Sequence, residues 1–316
     1  MQSRRCLKQL ARTAGNQVRV AIVKISTMIK SRIGHRKIAT APISSHPPIT
    51  RCRFNELVDG HCTWLSAPWF VCETYFYRKI RAIMRVHRGP ADPFSAQKQS
   101  LLDNLRAPYE HHVLALLKSN APVSHAISQS LLGNKGDLSL HSVSASLDTV
   151  ASASCLTILS DQRVPALQLL HSAARVAIIL DNCGVELISD LMLAVMLLQS
   201  QSCASVHLLC KSRPVWVSDV LESDIHQHLA WAESQAFADP ETAAASAQFL
   251  ACIRTGLLAN RISIEPHEFL SGPEAFDDMP ADMVQMLKGR SLVICKGEHV
   301  LLVVMCAARC DELFSL

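Results

Sequence analysis

The sequence predicts an α/β protein, mainly helical over its first half and built on a largely parallel, doubly wound sheet from residue 175 onward. Three observations carry this. Val176 to Leu180 is an unbroken apolar run with three β-branched residues, as in a strand buried on both faces. Val206 to Lys211 and Ser291 to Lys296 repeat that pattern. Helical patterns separate the three runs, the chain order of a parallel sheet with crossovers.

The N-terminal 50 residues read differently from the rest. No Asp or Glu precedes Glu56, whereas twelve of the 31 Lys and Arg do. The head is Arg-rich and contains several Ser and Thr, as an organelle transit peptide is, or else it is a plain basic tail. It closes on the proline-rich Ala41 to Pro48, a linker. Residues 1–50 are therefore expected to be disordered or targeting, with the folded chain starting near Arg51. Residues 51–165 form the helical part and 166–316 the α/β part.

Trp64 to Val86 holds the densest aromatic cluster. Ser66 suits a cap and Pro68 a first helical turn, so a helix follows, its aromatic residues mostly in the core. Glu73, Arg78 and Arg81 read as solvated charges. Gln97 to Lys118 is helical with an interruption at Pro108, Leu131 to Leu140 is a polar turn, and residues 142–165 are a loose Ser/Ala-rich connection before a short helix within Val164 to Arg175. Past the first strand, Val185 to Leu198 is apolar almost all round, a buried helix. A helix from Asp219 to about Glu233 is expected with Ser218 as its cap, then helices over 241–258 and Pro280 to Lys288. Ile262 to Ile264 reads as a short strand and Val300 to Cys306 as a possible further one.

Composition excludes several functions. Beyond residue 55 the chain carries 19 basic against 27 acidic residues, which disfavours nucleic-acid binding by the body. No apolar run reaches the length of a membrane span, so no membrane partner is expected. The twelve cysteines form no CxxC pair and several sit in apolar runs, as buried thiols in a reducing compartment do. The expected location is cytoplasmic, or mitochondrial or another organelle if the head is a transit peptide. G-x-G-x-x-G after the first strand, the P-loop and the G-x-S-x-G elbow are all absent. The fourteen histidines lack zincin spacing and read mostly as surface residues.

Chemistry concentrates where the first strand ends. Asp181 and Asn182 follow it directly, Gly184 permits a turn, and Glu186 and Asp190 add two carboxylates four residues apart on the next helix. Like charges at that spacing repel, and in so apolar a setting they call for a cation. Asp219 follows the second strand, and the C-terminal ends of parallel strands share one rim where ligands collect. Two carboxylates and the amide oxygen of Asn182 suit an oxygen-preferring ion such as Mg²⁺ or Mn²⁺. Lys211 and Lys296 stand at the ends of strands on the same rim. Metal and lysines together are the setting of phosphoryl chemistry, with Asp181, Asp219 and Lys296 as candidate catalytic residues and Lys211 and Lys296 as candidate substrate contacts. The competing expectation is that Asp181 and Asn182 merely cap a helix.

These segments also carry a family resemblance. DNCGVELISDLMLAVMLL (181–198), KSRPVWVSDV (211–220) and KGE (296–298) resemble signature segments of the metal-dependent damage-control phosphatases. The similarity is to the sugar-phosphate phosphatase branch also described as acidic-residue (protein-glutamate) methyltransferases. WLSAPWFVCETYFYRKI (64–80), LLGNKGDLSL (131–140) and FLSGPEAFDDMPADMVQML (269–287) are similar to further segments of that branch, so the resemblance runs from about Phe54 to Glu298. It implies a helical N-terminal part packed on a three-layer α/β/α part. It also implies hydrolysis of small phosphorylated metabolites such as fructose 1-phosphate or fructose 6-phosphate, with Mn²⁺, Co²⁺ or Ni²⁺. By position it makes Asp181, Asn182 and Asp219 the metal ligands and Glu186 a contact to substrate or S-adenosylmethionine. Asn134 and Asp137 become supporting substrate-site residues. Only the resemblance supports S-adenosylmethionine-dependent methyl transfer to a protein carboxylate. Where the family continues Lys-Gly-Asp with a phosphate-holding Leu-Asn-Tyr-Arg, this chain has Glu298-His-Val-Leu301 and stops at Leu316. A truncated, weakly active or non-catalytic member is therefore the alternative expectation.

Overall fold

The computed structural model describes residues 63, 65–67, 69–88, 91–133, 163–274, 279–295 and 304–306. The N-terminal basic segment, Asn134, Asp137, Lys296 and most of the Ser/Ala-rich connection lie outside the described residues.

In the helical half, α1 (Trp69–Arg88) starts just after Pro68, as its sequence predicts. Tyr77 of α1 packs edge-on against Phe94, with ring centroids 5.6 Å apart. Phe76, by contrast, is 50% exposed, so the aromatic run is only partly core. Helix α2 (Ser95–Asp103) follows, and the expected break near Pro108 takes a specific form. The short α3 (Arg106–Pro108) passes through a π-helical turn over Tyr109–Val113 into α4 (Leu114–Lys118). Tyr109 is fully buried there, its hydroxyl 3.0 Å from Ser246 Oγ and its ring against Trp231, Phe237 and Phe249. Helices α5 (Val123–Gly133) and α6 (Arg163–Gln168) complete this half.

The α/β half contains β1 (Arg175–Ile179), α7 (Val185–Gln199), β2 (Ser205–Lys211), α8 (Glu222–Ser234), α9 (Pro240–Leu258), β3 (Ile262–His267), α10 (Ala281–Leu287), β4 (Leu292–Cys295) and β5 (Val304–Cys306). The sheet order is β3-β2-β1-β4-β5. The first four strands pair in parallel, Ile179 lying opposite Leu209 on one side and Cys295 on the other, whereas β5 pairs antiparallel with β4. The largely parallel α/β class is thus as the sequence predicts.

Alternation along β1 separates the layers. Val176, Ile178 and Leu180 join the large core formed with α7, α9 and the helical half. Ala177 and Ile179 face a smaller core with Phe269, Leu270, Met283 and Leu287. The helical half therefore shares one continuous core with the sheet. Helix α7 lies at its centre, buried from Glu186 through Leu198, because α5 and α9 cover the face that a peripheral helix would give to water. The backbones come very close: a Cβ added at Gly133 of α5 would stand 2.7 Å from Glu186 Cα, which only glycine permits.

Chain order sets the place for a ligand. From β1 the sheet grows outward through β2 to β3, and β4 then returns to the opposite edge of β1. Such a reversal opens a crevice at the carboxyl ends of the two central strands. Asp181 stands two residues beyond the end of β1, at that crevice.

Candidate functional site at the carboxyl end of the central strand

The strand β1 ends in Asp181 and Asn182, and the chain then turns at Gly184 (φ 81°) into α7. Neither Asp181 nor Asn182 caps that helix, whose N-cap is Gly184 without a side-chain bond. The loop they form pairs with a second segment instead. After β2 the chain folds back, so that Ser218–Leu221 runs along the end of β1. Cys183 N–H donates to Ser218 O at 2.8 Å, Val220 N–H donates to Asp181 O at 2.8 Å, and Lys211 N–H donates to Val220 O at 2.9 Å. An isolated antiparallel bridge pairs Asn182 with Asp219. Asp219, eight residues past β2, reaches the rim only through this return.

That return corrects one sequence expectation. Ser218 is not a helix cap: its hydroxyl donates to Asn182 Oδ1 at 2.7 Å, and α8 begins later, at Glu222. Asp224 in the first turn of α8 accepts from Leu221 N–H at 2.8 Å and does the capping instead.

The side chains form a chain of donors and acceptors. Asn182 Nδ2 donates to Asp181 Oδ2 and to Glu186 Oε2, both at 3.0 Å. Its amide is therefore oriented from both ends, with Oδ1 toward the Ser218 hydroxyl. Lys211 Nζ lies 3.0 Å from Asp219 Oδ2 and 4.0 Å from Asp181 Oδ1. Carboxylates from two loops thus converge on one ammonium. Burial alone would lower the Lys211 pKa; Asp219 and Asp181 outweigh it and raise it, so the lysine is charged.

Glu186 is 1% exposed and holds the Asn182 amide from below the rim. Asp190 is fully buried one turn further on, where it accepts a hydrogen bond from Ser130 Oγ at 2.6 Å. Glu186 and Asp190 are thus each given a donor of their own, Asn182 Nδ2 and Ser130 Oγ.

The oxygen donors at this rim fit a divalent ion. Asp181 and Asp219 offer carboxylates, and Asn182 offers the amide oxygen that also accepts from Ser218. Among the described residues no three His, Cys, Asp or Glu are grouped to hold a metal. The ion would therefore be a hard, oxygen-preferring one completing its shell with water.

Two features were invisible in the sequence. The first is the loop Trp216–Val217, where two consecutive non-glycine residues have left-handed backbone, φ 48° and 58°. For a β-branched residue this is an outlier, worth on the order of 1–3 kcal/mol of strain. It places the Trp216 ring 5.5 Å from Lys211 Nζ. No sequence signal marks such a turn, since neither position is Gly, Asn or Asp.

The second is a buried polar cluster beneath the Asp181 loop. Lys98 of α2, 3% exposed, contacts Asp224 Oδ2 at 2.6 Å and Asp92 Oδ2 at 2.9 Å. Burial would lower its pKa, but Cys183, Asp224 and Asp92 together raise it. His228, 1% exposed and so no surface residue, accepts the Gly184 N–H at Nε2 over 2.8 Å. Its Nδ1 therefore carries the proton and donates to Asp224 O at 2.7 Å. His207 is likewise buried.

Burial pushes His228 down to about 4, with Lys98 acting in the same direction and Asp224 opposing. A depressed histidine stays neutral in the folded chain while the unfolded chain takes up a proton below pH 6.5. Stability is thus full above 6.5 and falls as pH drops toward 4, by up to about 3 kcal/mol from this residue. Urea unfolding at pH 7 and pH 4.5 should show a smaller loss in His228→Gln than in the wild type. An identical loss in both would refute the assignment.

A cavity of about 320 Å³ is lined by Arg213 and Val215, from the segment between β2 and Trp216. Arg78 and Arg81 of α1, His267 and Ser271 also line it, whereas Asp181, Asn182, Asp219 and Lys211 do not. Arg78 and Arg81 are half-buried, not the solvated charges their sequence indicated. The described residues include no helix long and apolar enough to cross a membrane.

Comparison with known proteins identifies the family. The profile of the damage-control phosphatase ARMT1-like domain matches residues 2–300, extending N-terminal of Phe54, where the segment-by-segment resemblance begins. Damage-control phosphatase ARMT1 of Mus musculus is 29% identical over 271 residues, covering 76% of this chain and 60% of that protein. Its Homo sapiens counterpart is 28% identical over 280 residues with the same coverage, and that of Macaca fascicularis 32% over 197 residues, 53% of this chain and 44% of that protein. The chain spans about three fifths of the length of the first two relatives. With nearly the whole sequence matched and its sheet carrying the expected parallel core, the chain belongs to the damage-control phosphatase family, in its ARMT1-like branch.

Proposed function

We propose that the chain is a metal-dependent phosphatase of small sugar phosphates, of the fructose 1-phosphate or fructose 6-phosphate type. One observation carries the reading: Asp181 and Asp219, thirty-eight positions apart in the sequence, face the same ammonium at the carboxyl rim of a parallel sheet. The family and the names of its relatives support phosphate-ester hydrolysis as the reaction class.

Asp181, Asn182 and Asp219 would hold the ion, Mn²⁺ or another of Mg²⁺, Co²⁺ and Ni²⁺. Bound there, such an ion supplies charge neutralisation to the phosphoryl oxygens and acidifies water. The chain's own groups do the rest. Glu186 and Ser218 fix the Asn182 amide from opposite ends, so its oxygen is presented without rearrangement. Lys211 brings a buried positive charge to the same point. Lys296, the residue after β4 in the chain, is proposed to stabilise the anionic oxygens. Asn134 and Asp137 are proposed to support the substrate.

The test is phosphate release from fructose 1-phosphate by the purified chain with and without added Mn²⁺. Release that needs Mn²⁺ and saturates with substrate is the expected result. No release with any of the four metals, across both fructose phosphates, would reject the reading. Titrating the same protein with S-adenosylmethionine tests methyl transfer separately.

A further inference from the structure

Lys211 is held in a way that leaves its ammonium few choices. Its backbone is fixed on both sides, by the segment Val220–Leu221 on one and by pairing with His267 of β3 on the other. Its side chain is 7% exposed, with Asp219 and Asp181 on one side and the Trp216 ring over it. The ring is kept there by the strained Trp216–Val217 turn. An ammonium covered by an indole draws little on water and depends on the carboxylates for its satisfaction.

We propose that Lys211 is a built-in counter-ion that neutralises the Asp181–Asp219 pair when no metal is bound and competes with the divalent cation for those carboxylates. The inference rests on the metal reading above. Two converging carboxylates without a cation would repel each other, so the lysine preserves the site's shape in the metal-free chain. The same charge opposes an arriving ion. Binding the ion takes the carboxylates away from the ammonium, which then faces the site as a cation with no anion of its own. Such a group attracts a phosphoryl oxygen, so metal and anion binding favour one another. Affinity for the metal alone is sacrificed to obtain that coupling.

Calorimetric titration of the full metal-free chain with Mn²⁺ tests this, together with thermal unfolding with and without Mn²⁺. In Lys211→Met, Mn²⁺ should bind roughly tenfold tighter or more, since one like charge has been removed from beside the ion. The metal-free variant should unfold at a lower temperature than the wild type, and Mn²⁺ should raise its unfolding temperature by more. A lysine that merely braces the site would lower the unfolding temperature equally with and without metal. Equal or weaker Mn²⁺ binding in the variant would overturn the proposal. Lys211→Gln repeats the measurement if the methionine variant does not fold; folding of either only once Mn²⁺ is added supports the proposal, and failure of both even then overturns it. If neither the wild type nor the variants bind Mn²⁺, the metal reading falls too; equal binding by all removes the counter-ion alone.

Discussion

Asp181→Ala is expected to lose Mn²⁺-dependent phosphate release by more than about 100-fold, because even outer partners of a metal ligand are commonly worth 10–100-fold. The loss should be chemical, not structural. Asp181 ties the site together through its carbonyl, which takes the Val220 N–H, and alanine keeps that bond. Its carboxylate contributes one of two negative charges at the rim and orients the Asn182 amide. Circular dichroism of the variant should match the wild type while activity disappears. A variant that keeps activity within a few-fold of the wild type would show that Asp181 is not part of the reacting site.

The largest effect on stability is expected from Lys98→Met. The lysine joins α2 to α8 through Asp224 and is 3% exposed, so its removal leaves the Asp224 and Asp92 carboxylates facing the same interior space. Breaking one side of a buried ion pair costs about 3–5 kcal/mol, far more than the pair contributes against an apolar replacement of both partners. The midpoint of urea unfolding should fall with little change in slope. The exposed pairs Arg213–Glu268 and Arg254–Glu233 supply the control, since removing either should cost no more than about 1 kcal/mol. A Lys98→Met shift as small as theirs would mean that the cluster admits water and that its burial is not what fixes the Asp181 loop.

What the sequence made legible follows from which forces are local. The run Val176 to Leu180, the polar break after it and the apolar helix from Val185 are short-range patterns, and the structure reproduces them as β1 and α7 almost residue for residue. Asp181 and Asn182 were legible as rim residues for the same reason, since they directly follow a buried strand, whereas Asp219, eight residues past β2, comes to the rim through the returning segment. The role of Ser218 was not accessible. Its hydroxyl beside a helix start looks like a cap, and only the returning loop turns it toward Asn182. Lys98 meets Asp224 across 126 positions and His228 meets Gly184 across 44, partnerships decided by tertiary packing alone. Nor could the sequence show that Asp190 accepts a hydrogen bond from Ser130, sixty positions upstream.

Metal stoichiometry bears most directly on the central claim that Asp181 and Asp219 hold one divalent ion between them. Calorimetric titration of the metal-free chain with Mn²⁺ should give one ion per chain in the wild type, and none at the same concentrations in either Asp181→Ala or Asp219→Ala. Undiminished binding in both variants, or no binding by the wild type, would contradict it.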